Sequence, residues 1–529
     1  MRTIALGAAR RAMPVGALAA LTLAVGLGSA SRLTYHEAFV AQAAREMLTS
    51  GDLIVPTVGG LPWLEKPPLA AWLVTLVGRV AGGVGEAGAR LPSATAAALL
   101  CLGVSTLASR RFGPSVGLLA GLIQATTAWT VMRGRLADAD MLLACLVTWT
   151  LMAFDRLRAA EPADPATGRW RWAFFAGLGL TSLAKGVGFG AALVLAVVAV
   201  TLAWDRDRAA LRRLWFARGW ALAGVLTLAW PVLAAARHPS ALSLWTLHVS
   251  DRLAANPEYF TGKQPWWHYG PTLLAQVLPW TPLALWGAWR SLPRAFREGR
   301  GGGGGDRLLW AWAVAPLVLL SLATVKNAHY AIHALAPWSV WAALGLSRQG
   351  ERLQAVRGWS PLRVRQGACA TFGTLGLAYA IGYAALGPLF DRRGVEWAFY
   401  LTASARLRPG EPVALLYNVP EWDRAPYATP FGPIPHDWAV RLFYLNPSGP
   451  ASCRFGTDDL ARRPPSSSPS SPFAVIGRAD DLPGLRRLGL VEILAQGPPV
   501  RFDRTYRLYR VTPATELPVA TRPDGDRPR

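Results

Sequence analysis

The sequence predicts a mainly α-helical membrane protein that crosses the bilayer about eleven times and ends in a soluble α/β domain. Three observations carry that expectation. Of 529 residues 52% are apolar and only 16% charged, and the mean hydropathy is +0.25, too oily for an ordinary soluble enzyme of this length. Arginines fall in short clusters between apolar runs, as topology signals do, and after Leu386 the chain turns to a mixed polar sequence.

Apolar stretches of roughly spanning length run Met13–Leu27, Leu91–Ala108, Val116–Val131, Met141–Phe154, Trp172–Leu183, Val187–Trp204, Trp220–Ala236, Tyr269–Trp289, Leu308–Thr324, Ala331–Leu346 and Ala368–Leu386. The first could be a signal peptide, because Arg10-Arg11, an apolar core and Gly28-Ser29-Ala30 form a processing pattern; a retained helix is favoured. Pro67 to Gly85 is also apolar, but it opens on two prolines, holds Arg79 and breaks up in glycines. If this segment lies in the membrane plane, the clusters at Arg110-Arg111, Arg156–Arg171, Arg206–Arg218, Arg290–Arg307 and Arg348–Arg365 share the cytoplasmic side with Arg2, Arg10 and Arg11. The loops at Ser31–Pro68, Arg133–Asp140, Ala184–Gly186, Arg237–His268 and Val325–Tyr330 then share the outer side. The run Gly301–Gly305 reads as a flexible cytoplasmic linker.

Domain limits follow: a transmembrane domain over 1–387, whose first outer loop spans 31–68, a soluble extracytoplasmic domain over 388–515, and a disordered tail over 516–529. β-type runs at Val413–Tyr417, Phe473–Ile476, Val491–Leu494 and Thr505–Val511, with helical stretches near Asp437–Phe443 and Leu482–Leu488, make the second domain a small α/β fold. Pro464–Pro472, rich in serine, reads as a disordered loop.

The net charge of +23 does not imply nucleic acid, because the arginines are dispersed between apolar segments. The cysteines Cys101, Cys145, Cys369 and Cys453 form no CxxC pair, so neither a disulfide framework nor a thiolate metal site is indicated. Lysine is the informative residue: of 55 basic side chains only Lys66, Lys185, Lys263 and Lys326 are lysine, and all four lie on the expected outer face. In a chain that uses arginine by default, those positions are suspects for a compact ammonium.

Several outer-face groups join them. His36 and Glu37 open a stretch whose apolar spacing fits an amphipathic helix on the membrane surface. Glu65-Lys66-Pro67-Pro68 holds a carboxylate and an ammonium on a backbone stiffened by prolines. Asp138 and Asp140 precede a helix, where capping and the helix dipole also explain an acid. His248, Asp251 and Arg252 share a loop ending in Trp266-Trp267-His268, whose tryptophans suit an interface. His329 and His333, four apart, have the spacing of a metal pair on one helical face, but Tyr330 and Pro337 beside them favour ordinary packing at a helix entry.

This ordered set resembles the dolichyl-phosphate-mannose protein mannosyltransferase-like enzymes, especially the bacterial branch containing the lipid A aminoarabinose transferase. The likeness covers Tyr35 to about Pro337 through His36-Glu37, Ala44-Arg45-Glu46-Met47, Glu65-Lys66-Pro67-Pro68, Ala89-Arg90-Leu91-Pro92-Ser93, Gly134-Arg135-Leu136 to Asp140-Met141, Leu183-Ala184-Lys185-Gly186, His248 with Arg252, and Lys326 with His329-Tyr330. The resemblance implies a GT-C glycosyltransferase of about 11–13 transmembrane helices in the inner (plasma) membrane. It would move a sugar, with inversion, from a polyprenyl-phosphate donor to an acceptor in the periplasm or exterior. It implies catalytic roles for His36, Glu37 and Asp140, donor-phosphate binding by Lys66, Arg135, Lys185, Arg252 and Lys326, and a divalent metal, zinc or magnesium, on Glu65 and His248. Family members usually carry Asp-Glu where this chain has His36-Glu37. Either His36 serves as base, or Asp140 or Glu37 takes over, or activity is altered or lost. Rival readings are a transporter or lipid flippase, against which no internal repeat is seen, and an inactive scaffold.

Overall fold

The computed structural model describes residues 2–160, 166–246, 264–297, 305–391, 394–417, 438–465, 471–500 and 504–514. They divide into a helical unit, Met1–Pro56 with Trp63–Asp391, and a smaller unit, Thr57–Pro62 with Arg392–Arg529. His248, Asp251, Arg252 and Lys263 lie outside the described residues, as do 301–304 of the glycine run, 466–470 of the serine-rich loop and the tail.

The helical unit contains α1 (Arg2–Ala24), α2 (Tyr35–Ser50), α3 (Leu69–Ala81), α4 (Glu86–Phe112), α5 (Pro114–Thr126), α6 (Ala128–Gly134), α7 (Asp140–Ala159), α8 (Ala166–Lys185) and α9 (Ala191–Asp205). It continues through α10 (Arg208–Leu214), α11 (Ala217–Arg237), α12 (Tyr269–Gln276), α13 (Thr281–Arg297), α14 (Asp306–Ser321), a 3-10 turn (Ala328–Ala334), α15 (Leu335–Arg357) and α16 (Pro361–Ile381). Helix α4 is the hub and packs against α1, α3, α5 and α7. Its buried face is built from Ala89, Ala94, Ala97, Cys101 and Gly103, small residues that let neighbouring backbones approach. Glu86 in its first turn and Arg110-Arg111 in its last suit the helix dipole, and Gly113-Pro114 turns the chain into α5.

By length and composition three described helices are able to cross a membrane: Glu86–Phe112, Ala217–Arg237 and Pro361–Leu389. A fourth forms if α5 and α6, bent by 58°, count as one span. The stretch Val116–Val131, expected to be continuous, therefore breaks. At the break Thr126 and Thr127 turn their hydroxyls back on Ile123 O, and Ala128 N donates instead to Leu278 O at 2.8 Å. Tyr269–Trp289 is likewise split between α12 and α13. Helix α3 has 13 residues, about 20 Å of rise, short of the roughly 30 Å of a bilayer core. Helix α1 packs against α4, α5 and α16 as an integral part of the unit. Helix α2 buries far more than the one stripe expected of a surface helix, Phe39 to Ala44 all being inside.

At the end of the bundle formed by the last turns of α4, α7 and α9 and the first turn of α14, aspartates are wrapped in arginines. Asp155 takes Arg111 Nε at 2.8 Å, and Asp205 takes Arg307 Nη1 at 2.9 Å together with Arg158.

In the smaller unit β3 (Val413–Leu416), β4 (Ala451–Arg454), β5 (Phe473–Arg478), β6 (Gly489–Val500) and β7 (Arg504–Pro513) form one sheet in the order β4-β3-β5-β7-β6. The wholly buried β3 pairs in parallel with β4 and β5, as a continuous apolar strand should, and β7 is antiparallel to both its neighbours. Around the sheet lie α17 (Gly394–Ser404), α18 (Trp438–Leu445), α19 (Gly456–Arg462) and α20 (Leu482–Arg486). A hairpin from the first loop, β1 (Thr57–Val58) and β2 (Leu61–Pro62), also belongs to this unit. Its turn residues Gly59 and Gly60 have φ of 64° and 74°, and a Cβ on Gly59 would meet the Trp438 indole at 2.5 Å. The division at Asp391 lies four residues beyond the expected 387, and the hairpin was not expected.

Candidate active site

Four connecting segments of the helical unit bring their polar groups to one place. The turn between α6 and α7 is held by Ser93 Oγ, which donates to Asp138 O at 2.9 Å, and by Asp140 N, which donates to Asp138 Oδ1 at 2.9 Å. The two carboxylates are thereby presented side by side at the start of α7. Arg133, in the last turn of α6, reaches Oδ2 of both. Lys185, the last residue of α8, takes the other oxygen of Asp140. Its ammonium also lies 5.5 Å from the Phe189 ring and 5.2 Å from the Tyr330 ring, a cation–π arrangement.

Lys66 is half-buried, and its charged neighbours are Lys185, Asp138, Glu65 and Asp140. Burial and the Lys185 ammonium lower its pKa, as expected of a cation placed beside another cation. Burial, with the Asp140 carboxylate close by, pushes Asp138 up to about 6. His329 faces Asp140, Lys185, Arg133 and Lys66, and burial brings it down to about 3. The expected Lys66, Lys185 and Asp140 thus come together, joined by Arg133, Asp138 and His329. Arg133 carried no signal of its own in a chain so rich in arginine.

Two expected site residues have other work. Glu37 lies inside, 1% exposed, and accepts from Arg90 Nε at 2.7 Å, Arg90 Nη2 at 3.4 Å, Thr34 N at 2.8 Å and Ala137 N at 3.2 Å. With both oxygens so engaged it is a positioning residue, tying the N-terminus of α2 and the α6–α7 turn to α4, and not the free carboxylate a base requires. Arg135 gives its guanidinium to Thr22 O at 3.1 Å, Leu23 O at 3.0 Å and Val25 O at 2.6 Å, over the Tyr383 ring at 4.0 Å. Those are the orphan carbonyls at the end of α1, so its donors cap a helix and are not offered to phosphate.

His36 is exposed in the first turn of α2, its ring 4.0 Å from that of Tyr35. Lys326 donates to Ala323 O at 2.6 Å and Gln264 O at 3.1 Å, and burial lowers its pKa. Glu65 is exposed, while His248 and Arg252 lie outside the described residues. Among the described residues no three His, Cys, Asp or Glu side chains converge on a metal position. His329 and His333 do not share a face: in a 3-10 turn residues four apart are rotated by about 120°.

A family model for dolichyl-phosphate-mannose-protein mannosyltransferase matches residues 65–234. The chain is 33% identical over 330 residues to the undecaprenyl phosphate-α-4-amino-4-deoxy-L-arabinose arabinosyl transferase of Edwardsiella ictaluri, covering 60% of this chain and 56% of that protein. With the same-named protein of Shewanella sediminis the identity is 30% over 321 residues, 58% and 54% of the two chains. The chain spans just over half the length of these relatives. Among solved structures, ArnT from Cupriavidus metallidurans bound to undecaprenyl phosphate superposes with a TM-score of 0.73 at 20% identity, covering 94% of this chain and 97% of that one. The Archaeoglobus fulgidus oligosaccharyltransferase tethered to an acceptor peptide gives 0.56 at 13%, covering 84% and 64%. By sequence the chain is similar to these aminoarabinose transferases, and it shares the fold of ArnT and of the oligosaccharyltransferase.

Proposed function

We propose that this chain transfers a sugar from a polyprenyl-phosphate donor to an acceptor at the outer face of the membrane in which it sits. The observation that carries this reading is the convergence of Lys66, Lys185 and Arg133 on Asp138 and Asp140 at one end of the helical unit. A phosphodiester donor is a monoanion, and displacement at the anomeric carbon leaves polyprenyl phosphate with a further negative charge. Fixed ammonium groups in a half-buried site stabilise that growing charge more than they stabilise the donor. Asp140 holds Lys185 and Arg133 in position by accepting from each with a different oxygen. Direct displacement inverts the configuration. The relatives' names specify undecaprenyl phosphate and 4-amino-4-deoxy-L-arabinose, which makes that donor the first to test.

An extracytoplasmic orientation is part of the proposal. It is supported by the separation of the acid–lysine site, at the first residue of α7, from the arginine-wrapped Asp155 near its last turn, in a helix of 20 residues or about 30 Å. Arg252 and Lys326 remain proposed as phosphate cations, and His36 as a candidate catalytic group in place of the usual aspartate.

A divalent ion on Glu65 and His248, zinc or magnesium, is likewise proposed; the described residues supply only Glu65, and no step above depends on it. Metal analysis of the purified protein tests it. About one equivalent in the wild type, lost in both Glu65→Ala and His248→Ala, is expected; equal content in all three contradicts it.

The activity itself is tested in proteoliposomes with a panel of undecaprenyl-phosphate sugars and lipid A as first acceptor. Sugar transfer by the wild type is expected, whereas saturable substrate flux without transfer would favour a transporter.

A further inference from the structure

On the reading just given, an acceptor that attacks through a hydroxyl or amine loses a proton as its bond to the sugar forms, and the groups around Asp140 differ in their freedom to take it. Glu37 has donors on both oxygens. Asp140 is held by Arg133 on one oxygen and Lys185 on the other. Asp138 gives one oxygen to Arg133 and the other to the backbone of Asp140. His333 is 2% exposed and closed to substrate. His36 lies exposed on the first turn of α2, its ring against that of Tyr35.

His329 differs from all of these. It is partly exposed, and its imidazole makes no hydrogen bond among the described residues. Its ring stands edge-on to Tyr330 at 4.6 Å, and the Lys185 ammonium that grips Asp140 lies 5.2 Å from that same Tyr330 ring. The 3-10 turn that carries it packs against α7, α12, α14 and α15. We propose that His329 is the proton acceptor of the transfer step. The acceptor's lone pair forms the new bond to the anomeric carbon, and the bond from that carbon to the donor phosphate oxygen breaks. Its electron pair leaves on polyprenyl phosphate, and the acceptor's proton passes to the imidazole nitrogen.

The surrounding charges favour this order of events. Asp140 from α7, Lys185 from α8, Arg133 from α6 and Lys66 from the loop before α3 face the imidazole. Tyr269 on α12 adjoins Tyr330, and His333 shares the turn. Burial first, and then three cations against one carboxylate, keep the imidazole neutral before the donor binds, able to accept a proton. The donor phosphate adds a negative charge, and its departure adds another, so the imidazolium is stabilised as it forms.

The test uses the full-length protein with the polyprenyl-phosphate sugar and acceptor that give turnover in the wild type. In His329→Gln and His329→Ala, kcat is expected to fall about 10²–10⁴-fold while the donor KM moves less than about threefold. Binding of polyprenyl monophosphate should be retained, which separates lost chemistry from lost folding. Added imidazole should restore part of the rate of His329→Ala and none of that of Asp140→Asn. Undiminished kcat in His329→Gln overturns the proposal and leaves the glycosyltransferase reading standing. If the wild type transfers no sugar at all, that reading falls and takes this one with it.

Discussion

Glu37 and Arg90 are 53 positions apart and meet inside the protein with 1% and 2% of their side chains exposed, at 2.7 Å. A buried pair of this kind is costly to assemble but costlier to halve, because the remaining charge has no water to replace its partner. Arg90 also donates to Leu27 O at 2.9 Å and Ser31 O at 3.0 Å, so one guanidinium joins the segment after α1 to α2. Glu37→Ala is expected to cost about 3–5 kcal/mol, measured as lower thermal or denaturant resistance of the purified protein. A loss of activity with stability unchanged would instead make Glu37 a reacting group. The same contrast separates Arg133 from Arg135, two residues apart: one grips the carboxylates, the other caps α1. Residue type alone did not distinguish them, since each is an arginine in the same short loop.

At the scale of elements, the start of α7 is the part of the site most sensitive to pH. A carboxyl whose folded-state pKa lies near 6, against 3.8 when unperturbed, binds a proton in the native state that the unfolded chain releases. The stability contributed by that proton is fully present below about pH 4 and is lost as pH rises through about 6. Asp138→Asn cannot ionise, so it should flatten the fall in melting temperature that the wild type shows over that window. An unchanged slope would assign the fall to other groups. Element breaks explain where hydropathy misled. The apolar run Val116–Val131 carries no proline or charge to announce its kink, which arises because Ala128 N bonds a distant carbonyl on the segment joining α12 to α13. Strand β4, Ala451–Arg454, was missed because it lacks β-branched and aromatic residues and is a strand through its parallel pairing with β3. The hairpin at Thr57–Pro62 did carry a signal, Gly59-Gly60 between Thr57-Val58 and Leu61-Pro62, at a length too short to stand out.

For the whole molecule, the division into an oily helical unit and a later mixed sheet followed from composition, because burial in lipid and burial in a sheet select different residues. The four β-type runs expected from the sequence fall on four strands of one sheet, Tyr417 alone lying one residue past its strand. The site was partly legible for a different reason. Lysine is so rare here that Lys66 and Lys185 stood out, and both lie beside Asp140. What remained hidden, Arg133 and the approach of His329, depends on contacts between segments far apart in the chain, which spacing does not encode. The most direct measurement is the rate of sugar transfer from a polyprenyl-phosphate donor by reconstituted wild type, Lys185→Met and Asp140→Asn. Transfer by the wild type, falling about 10²–10³-fold in Lys185→Met with the protein still folded, is the predicted result. Wild-type transfer at the same rate in both variants would contradict the assignment of the reaction to this cluster of charges.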